Sequence, residues 1–291
     1  MRYNDSYRRP SRTRNWVSLV FSFFLALALV GEAALLIVHV GVFSEAGFLS
    51  VLDDTYYQLV QSYIDDQCYY YTIPTGIKPE VARDLYAVED VQYDVRQHIL
   101  ATFAGSEYEP NMSAAEEELT ERVNSFFTES GTKLSAETDE ICSTYVSEIM
   151  DIYRDVVKMP GLGTIANIRN NYMKYSLVGS VAVSLIIIVL TVTIVKLHHF
   201  PHRGMRYLAY ATGGAALMCF IVPFFLYQSG AYLGLNFTPQ YFYHFGTSLV
   251  AHVLKLFMAA SLVLLAATVV LILVIASLRG RSASRGGHHK H

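Results

Sequence analysis

The chain has 291 residues, 53% of them hydrophobic and only 16% charged, with a formal net charge of −3. No basic excess marks it for nucleic acid, and its apolar residues gather in four long stretches, which excludes an ordinary soluble domain. The near-neutral balance hides a strong separation of charge along the chain.

The first fifteen residues form a basic tail carrying Arg2, Arg8, Arg9, Arg12 and Arg14 against a single acid, Asp5. The first apolar stretch, Trp16–Val42, follows directly. About 20 apolar residues cross a bilayer as a helix. Basic residues before an apolar run also suit a signal peptide, but this run is long for one and shows no AxA-type exit, so an uncleaved anchor is expected.

Residues 43–175 hold 23 Asp and Glu against 9 Lys and Arg, a formal charge of −14. Their pattern is helical. Leu49, Leu52, Tyr56, Val60, Tyr63 and Ile64 recur at steps of three and four, as a stalk continuing the first span would. CYYYTIPTGIKPE interrupts this with Pro74, Gly76 and Pro79, and CYYYTI also reads as a short strand. Val81, Leu85, Val88, Val95 and Ile99 give a second stripe, with Pro79 in its first turn and Gly105 and Pro110 after it. Ser113 and Glu116 match a capping box for a third helix bearing Leu119, Val123, Phe126 and Phe127, closed by Gly131. Ser135 is positioned to cap a fourth, with Ile141, Tyr145, Ile149, Ile152 and Val156 on its face, stopped by Pro160 and Gly161. GLGTIANIRNNYMKY then reads as an interfacial helix. A bundle of three or four helices is predicted.

Cys68 and Cys142 are the cysteines of this loop, and a disulfide between them is expected in an oxidising compartment. The acidic pairs Asp53-Asp54, Asp65-Asp66, Glu89-Asp90 and Asp139-Glu140, with Glu116–Glu118, lack a calcium-loop pattern and read as a solvated face attractive to cations and basic partners; whether a metal binds is left open. Asn111-Met-Ser and Asn236-Phe-Thr match the glycosylation acceptor pattern.

The second span covers 176–196, with Ser176, Ser180 and Ser184 repeating at four. A short inner loop, 197–206, leads to the third span, Tyr207–Tyr227, where Ala209, Gly213 and Gly214 permit close helix contact and Pro223 is placed to kink it. His198, His199 and His202 cluster in the loop without a Cys or carboxylate to complete a zinc set. Residues 228–246 form an aromatic loop. Tyr227, Tyr232, Tyr241 and Tyr243 there suit a headgroup-level belt, and a docking surface for the acidic domain is a second reading. The fourth span, Thr247–Leu278, leads to the basic tail 279–291, which ends in GGHHKH.

Lys196, Arg203 and Arg206, the N-terminal arginines, and Arg279, Arg281, Arg285 and Lys290 together make 12 bases against one acid on one side of a four-pass chain. Positive short segments stay inside. The expected protein is therefore an all-α integral membrane protein of the plasma membrane. Both termini are expected in the cytoplasm, and a large helical domain outside, between the first two spans.

Glu32 and Lys255 are the charged residues of the spans and fall at similar depth; with His39 and His252 they are expected to form a polar cluster between the first and fourth helices. The alternatives for it are a structural ion pair, an ion-permeation or proton-coupled site, and a ligand pocket. No phosphate loop, HExxH, GxSxG or CxxC occurs, so no catalytic residue or cofactor is expected. Four spans with a large first outer loop resemble the layout of claudin-type and tetraspan proteins, without the claudin-type Trp-Gly-Leu-Trp and paired-Cys signature. The leading expectation is a non-enzymatic surface protein binding a protein partner outside, in contact with membrane lipid and open to homo-oligomer formation. An oligomeric channel or transporter subunit using the Glu/His/Lys cluster is the alternative.

Overall fold

The computed structural model describes residues 10–131, 136–198 and 201–286, and every described element is helical. Arg2, Asp5, Arg8, Arg9, Ser135, His199, Lys290 and the GGHHKH end lie outside the described residues, as do the side chains of Arg12, Arg281 and Arg285. Nine α-helices are described: α1 Pro10–Ile37, α2 Glu45–Leu49, α3 Asp54–Thr72, α4 Val88–Ala104, α5 Ser113–Glu129, α6 Ala136–Val157, α7 Leu162–Lys196, α8 Pro201–Ser229 and α9 Gln240–Gly286. Four helical stretches are long and apolar enough to cross a membrane: Arg14–Val42, Asp139–Lys196, His202–Ser229 and Gln240–Arg279. The chain is thus an all-helical protein with the composition of a multi-pass membrane protein.

Packing divides the described chain into two units. One takes in the residues up to Ser44, those of 172–234 and those from 249 onward. Here α1 lies closest to α8. Leu25 and Ala26 of α1 pack with Ile194 of α7 and Leu208, Ala211 and Ala215 of α8, and Leu264 and Leu271 of α9 border them. Small residues bring the backbones together. A Cβ on Gly214 would come 3.9 Å from that of Ala26, and one on Gly204 would come 3.0 Å from the Val195 Cα, so the α7–α8 hairpin closes at its tightest on a glycine. Thr268 of α9 donates to Thr212 of α8 at 2.9 Å. Pro223 is accommodated inside α8 without ending it. The opposite surfaces of α7 and α9 stay apolar and exposed, from Leu177 to Val192 and from Leu262 to Val274, as helices bathed in hydrocarbon require.

The other unit is Glu45–Asn171 with Leu235–Ser248, a helical bundle in which α3, α4 and α5 pack against α6. Its core is built on Tyr56, Val60 and Ile64 of α3, Val91, Val95 and Ile99 of α4, Leu119 and Val123 of α5, and Tyr145, Ile149 and Tyr153 of α6. Most of these belong to the predicted stripes, but Ile141 of the fourth is exposed, and Val88, Phe126, Phe127 and Ile152 are half-buried. At the centre sits a carboxylate: Asp94 accepts from Tyr108 at 2.7 Å and Tyr153 at 2.6 Å, so its two oxygens are satisfied although the residue is buried. Tyr153 stacks on Tyr86 with ring centroids 3.8 Å apart, and the Tyr86 hydroxyl reaches the Met150 sulfur.

Several local expectations are corrected. No continuous stalk follows the first span: α1 passes into a π-helical turn, Val38–Val42, then ends, and α3 starts afresh at Asp53, whose carboxylate accepts the Tyr56 N–H at 2.9 Å. CYYYTI is helix, not strand. It has no partner strand, and Thr72 ties back to the Cys68 carbonyl within the helix. Pro79 opens a 3₁₀ turn, Pro79–Ala82, rather than a helix, and α4 waits until Val88 because Asp84 takes a positive φ of 51°. The capping box at Ser113 does not form. Asn111 instead accepts the Ser113 N–H and hydroxyl, at 3.3 and 2.9 Å. The segment expected to lie as a separate interfacial helix is the first part of α7.

The expected Cys68–Cys142 disulfide is absent: both are free, buried thiols. Cys142 lines a groove between α5 and α6, beside Glu116 and Thr120, whereas Cys68 is enclosed in the α3 core, where burial and then the nearby Asp65 push its thiol up to about 12. The thiols face different neighbours, and each behaves as a small apolar core group.

Asp53 also accepts from His244 at 2.8 Å. Burial raises its carboxyl, but the Tyr56 N–H and His244 outweigh this and hold it below the usual carboxylate range. Asp53→Ala is expected to destabilise the protein by about 1 kcal/mol through loss of the α3 cap, and Asp53→Asn by less. A carboxyl depressed by folding contributes stability above its unfolded pKa of about 3.9, and that contribution vanishes as pH falls through the folded value. Thermal unfolding of wild type and Asp53→Asn should therefore differ at neutral pH and converge as acid protonates the folded carboxyl. Curves that stay parallel through that protonation would show that the Asp53 charge adds nothing.

Candidate functional site

Apart from Lys196 at the edge of the second, Glu32 and Lys255 are the only Asp, Glu, Lys or Arg residues within the four apolar stretches as read from the sequence. Hydrocarbon leaves such groups no water, so each must find polar company. For Glu32 that company comes from α7. The Ser180 hydroxyl donates to Glu32 Oε1. One turn earlier on α7, the Ser176 hydroxyl meets His39 Nδ1 at 3.0 Å, and one turn before that the Tyr172 hydroxyl donates to the Leu35 carbonyl at 2.8 Å. Tyr172, Ser176 and Ser180 repeat at four and so share one helical face. They make a polar seam with α1, closed at one end by the Phe43 ring 5.1 Å from that of Tyr172. His39 sits on the π-helical turn, a local widening of the helix that recurs at functional positions.

The other two members of the predicted cluster lie on α9. A Cβ on Gly41 would come 2.2 Å from Leu256 Cδ1 and 3.8 Å from His252 Nε2, so the absence of a side chain at Gly41 admits α9 against α1. Lys255 turns elsewhere: its ammonium stands 5.8 Å from the centre of the Tyr227 ring on α8, within cation–π range. Among the described residues Glu32 and Lys255 form no ion pair with each other. One carboxylate oxygen, Glu32 Oε2, is buried without a hydrogen-bond partner.

The aromatic loop separates into two groups. Tyr227 and Tyr232 stack on each other with centroids 6.1 Å apart. Tyr241 is buried beside Tyr56 and Tyr63 of α3, and Phe245 packs on Phe48 and Tyr56, so this part of the loop belongs to the core of the helical unit. Tyr243 is half-buried on the same turn.

On the surface of the acid-rich unit, the end of α3 exposes Tyr69, Tyr70 and Ile73, with Tyr70 at 66%. Beside it, Tyr71, Thr75, Glu140, Ile141, Thr144 and Tyr145 line an open groove of about 350 Å³ between α3 and α6. Ile141 is itself exposed, and Tyr71 stacks on Tyr145 at 6.1 Å. Asp65, Asp66 and Glu80 lie on the other flank of Tyr69. Spacing alone did not single out this patch, because CYYYTI reads as an interrupted segment and the exposed face becomes visible only once it is helical.

Neither Ser–His pair is arranged for nucleophilic catalysis. Glu32 bonds to Ser180 and not to His39, and no carboxylate bonds the imidazole of His198, the partner of Ser18. Among the described residues no three His, Cys, Asp or Glu side chains come together as metal ligands. The α7 serines were visible in the sequence as a small-residue repeat; their role as donors to Glu32 and His39 depends on the rotation of α7, which the repeat does not specify. No family model, curated protein or solved structure matches the chain.

Ser180→Ala removes the described hydrogen-bond partner of Glu32 and is expected to cost about 1–3 kcal/mol. In a Glu32→Leu background the same substitution should cost little, since no carboxylate remains to be satisfied. Thermal unfolding in detergent measures both, with Ser184→Ala as a neutral control. Equal losses in the two backgrounds would mean that Ser180 acts by packing alone.

Proposed function

We propose that this is a non-enzymatic plasma-membrane protein, both chain ends cytoplasmic, which presents its acid-rich helical unit outside the cell to a protein partner. The observation carrying this reading is the α3–α6 patch. Contiguous exposed Tyr and Ile side chains with an acidic surround have the make-up of an interface: aromatic groups supply contact area at low entropic cost, and a charged rim selects the partner. The patch adjoins Asp66, Glu80 and Glu140, so the partner it fits has an apolar centre ringed by Lys and Arg. Charge placement supports the orientation, since the 23 acids of 43–175 and the 12 bases of the tails and short loop fall on opposite sides of any four-pass arrangement. A receptor, scaffold or accessory subunit has this layout.

A photo-crosslinking amino acid placed at Tyr70 or Ile73 of the full chain, in native membranes, tests the reading. Both positions should yield the same discrete adduct, and Thr128, exposed on α5, should not. Identical adduct patterns at all three positions, or adducts at Thr128 alone, would refute it.

A further inference from the structure

His198, just past the end of α7, is 6% exposed, its Nε2 is 3.0 Å from the Ser18 hydroxyl on α1, and its ring lies flat on Tyr207 of α8. Its other nitrogen, Nδ1, is buried with no hydrogen-bond partner, and so is Nε of Arg14, one turn before Ser18. The Arg14 Nε is a donor, and His198 Nδ1 is a donor in the tautomer in which Ser18 donates to Nε2. Buried donors of native proteins are satisfied, so the pair requires an acceptor. Burial, and after it the positive charges of Arg14 and Arg203, work against a proton on the ring.

The geometry points to a phosphate-binding site formed by Arg14, His198 and Arg203, and we infer that its occupant is the headgroup of an anionic phospholipid. A phosphate diester offers the acceptors the two orphan donors lack, and its charge suits the cluster. Depth selects a lipid over a soluble phosphate. Trp16 is 68% exposed two residues from Arg14, and Tyr210 is 64% exposed on the turn after Tyr207. Exposed Trp and Tyr at the ends of apolar helices mark headgroup level. These rings put Arg14 and His198 near the level of lipid phosphates, and basic clusters between spanning helices bind such headgroups.

Native mass spectrometry of the delipidated full chain tests this, with short-chain phosphatidylglycerol, phosphatidylcholine and inorganic phosphate as separate probes. Phosphatidylglycerol should bind with discrete stoichiometry and tighter than phosphatidylcholine. Arg14→Gln should weaken it about tenfold or more, the loss of a hydrogen bond to a charged group, while Lys196→Gln, an exposed charge change on the same helix end, should leave it within about twofold. His198→Gln keeps a polar group toward Ser18 and removes Nδ1; it should weaken binding similarly and serves alone if Arg14→Gln does not fold. Equal losses for Arg14→Gln and Lys196→Gln would reduce the effect to general charge and overturn the site. Inorganic phosphate displacing the lipid at equal concentration would overturn the lipid assignment.

Discussion

Hydrocarbon solvates neither charge nor backbone, and the whole chain is arranged around that constraint. Acids predominate in one loop, 23 against 9 bases, and bases in the tails and one short loop, 12 against one acid, and the long helices satisfy their own backbones. Apart from Lys196 at the edge of the second, only two formal charges enter the apolar stretches. Glu32 is received by a serine on α7, Lys255 by an aromatic face on α8. These two contacts, with the glycine and alanine approaches of α1 to α8, fix how the apolar helices of the first unit sit beside one another.

The second unit obeys the opposite rule. Its charged side chains lie mostly at the surface and most of its apolar stripe positions point inward. Its packing nevertheless takes in buried polar groups, Asp94 among them. Two tyrosines from different parts of the bundle meet on Asp94, and an unpaired version of that carboxylate would be costly. The 235–248 segment joins the same core through Tyr241 and Phe245, which makes this part of the aromatic loop structural.

Spans, helical stripes and helix-stopping glycines were legible in the sequence, because each is a local property of composition or of a 3.6-residue period. Gly105, Gly131 and Gly161 all take positive φ where a stop was expected. What escaped depended on rotation and competition. Asn111 takes the hydrogen bonds that a Ser113–Glu116 box would have made, and the choice turns on loop geometry. Cys68 and Cys142 sit on packed helices but face different neighbours, which spacing does not encode. Depth placed Glu32, His39, His252 and Lys255 at comparable levels; it gave no azimuth, so the serine partners of Glu32 and His39 and the turning of Lys255 to Tyr227 emerge only from the packed helices. The inner histidines were visible as a cluster, but the tie from Ser18 to His198 spans 180 residues and leaves no local trace.

The account stands on the membrane separating the acid-rich unit from the basic ends. Single cysteines at Ser130 and Lys196, each in a background with the native thiols removed, can be exposed on intact cells to a membrane-impermeant maleimide. Labelling at position 130 but not at 196 until the cells are opened is the predicted outcome. Labelling at 196 with 130 protected, or at both in intact cells, would contradict it.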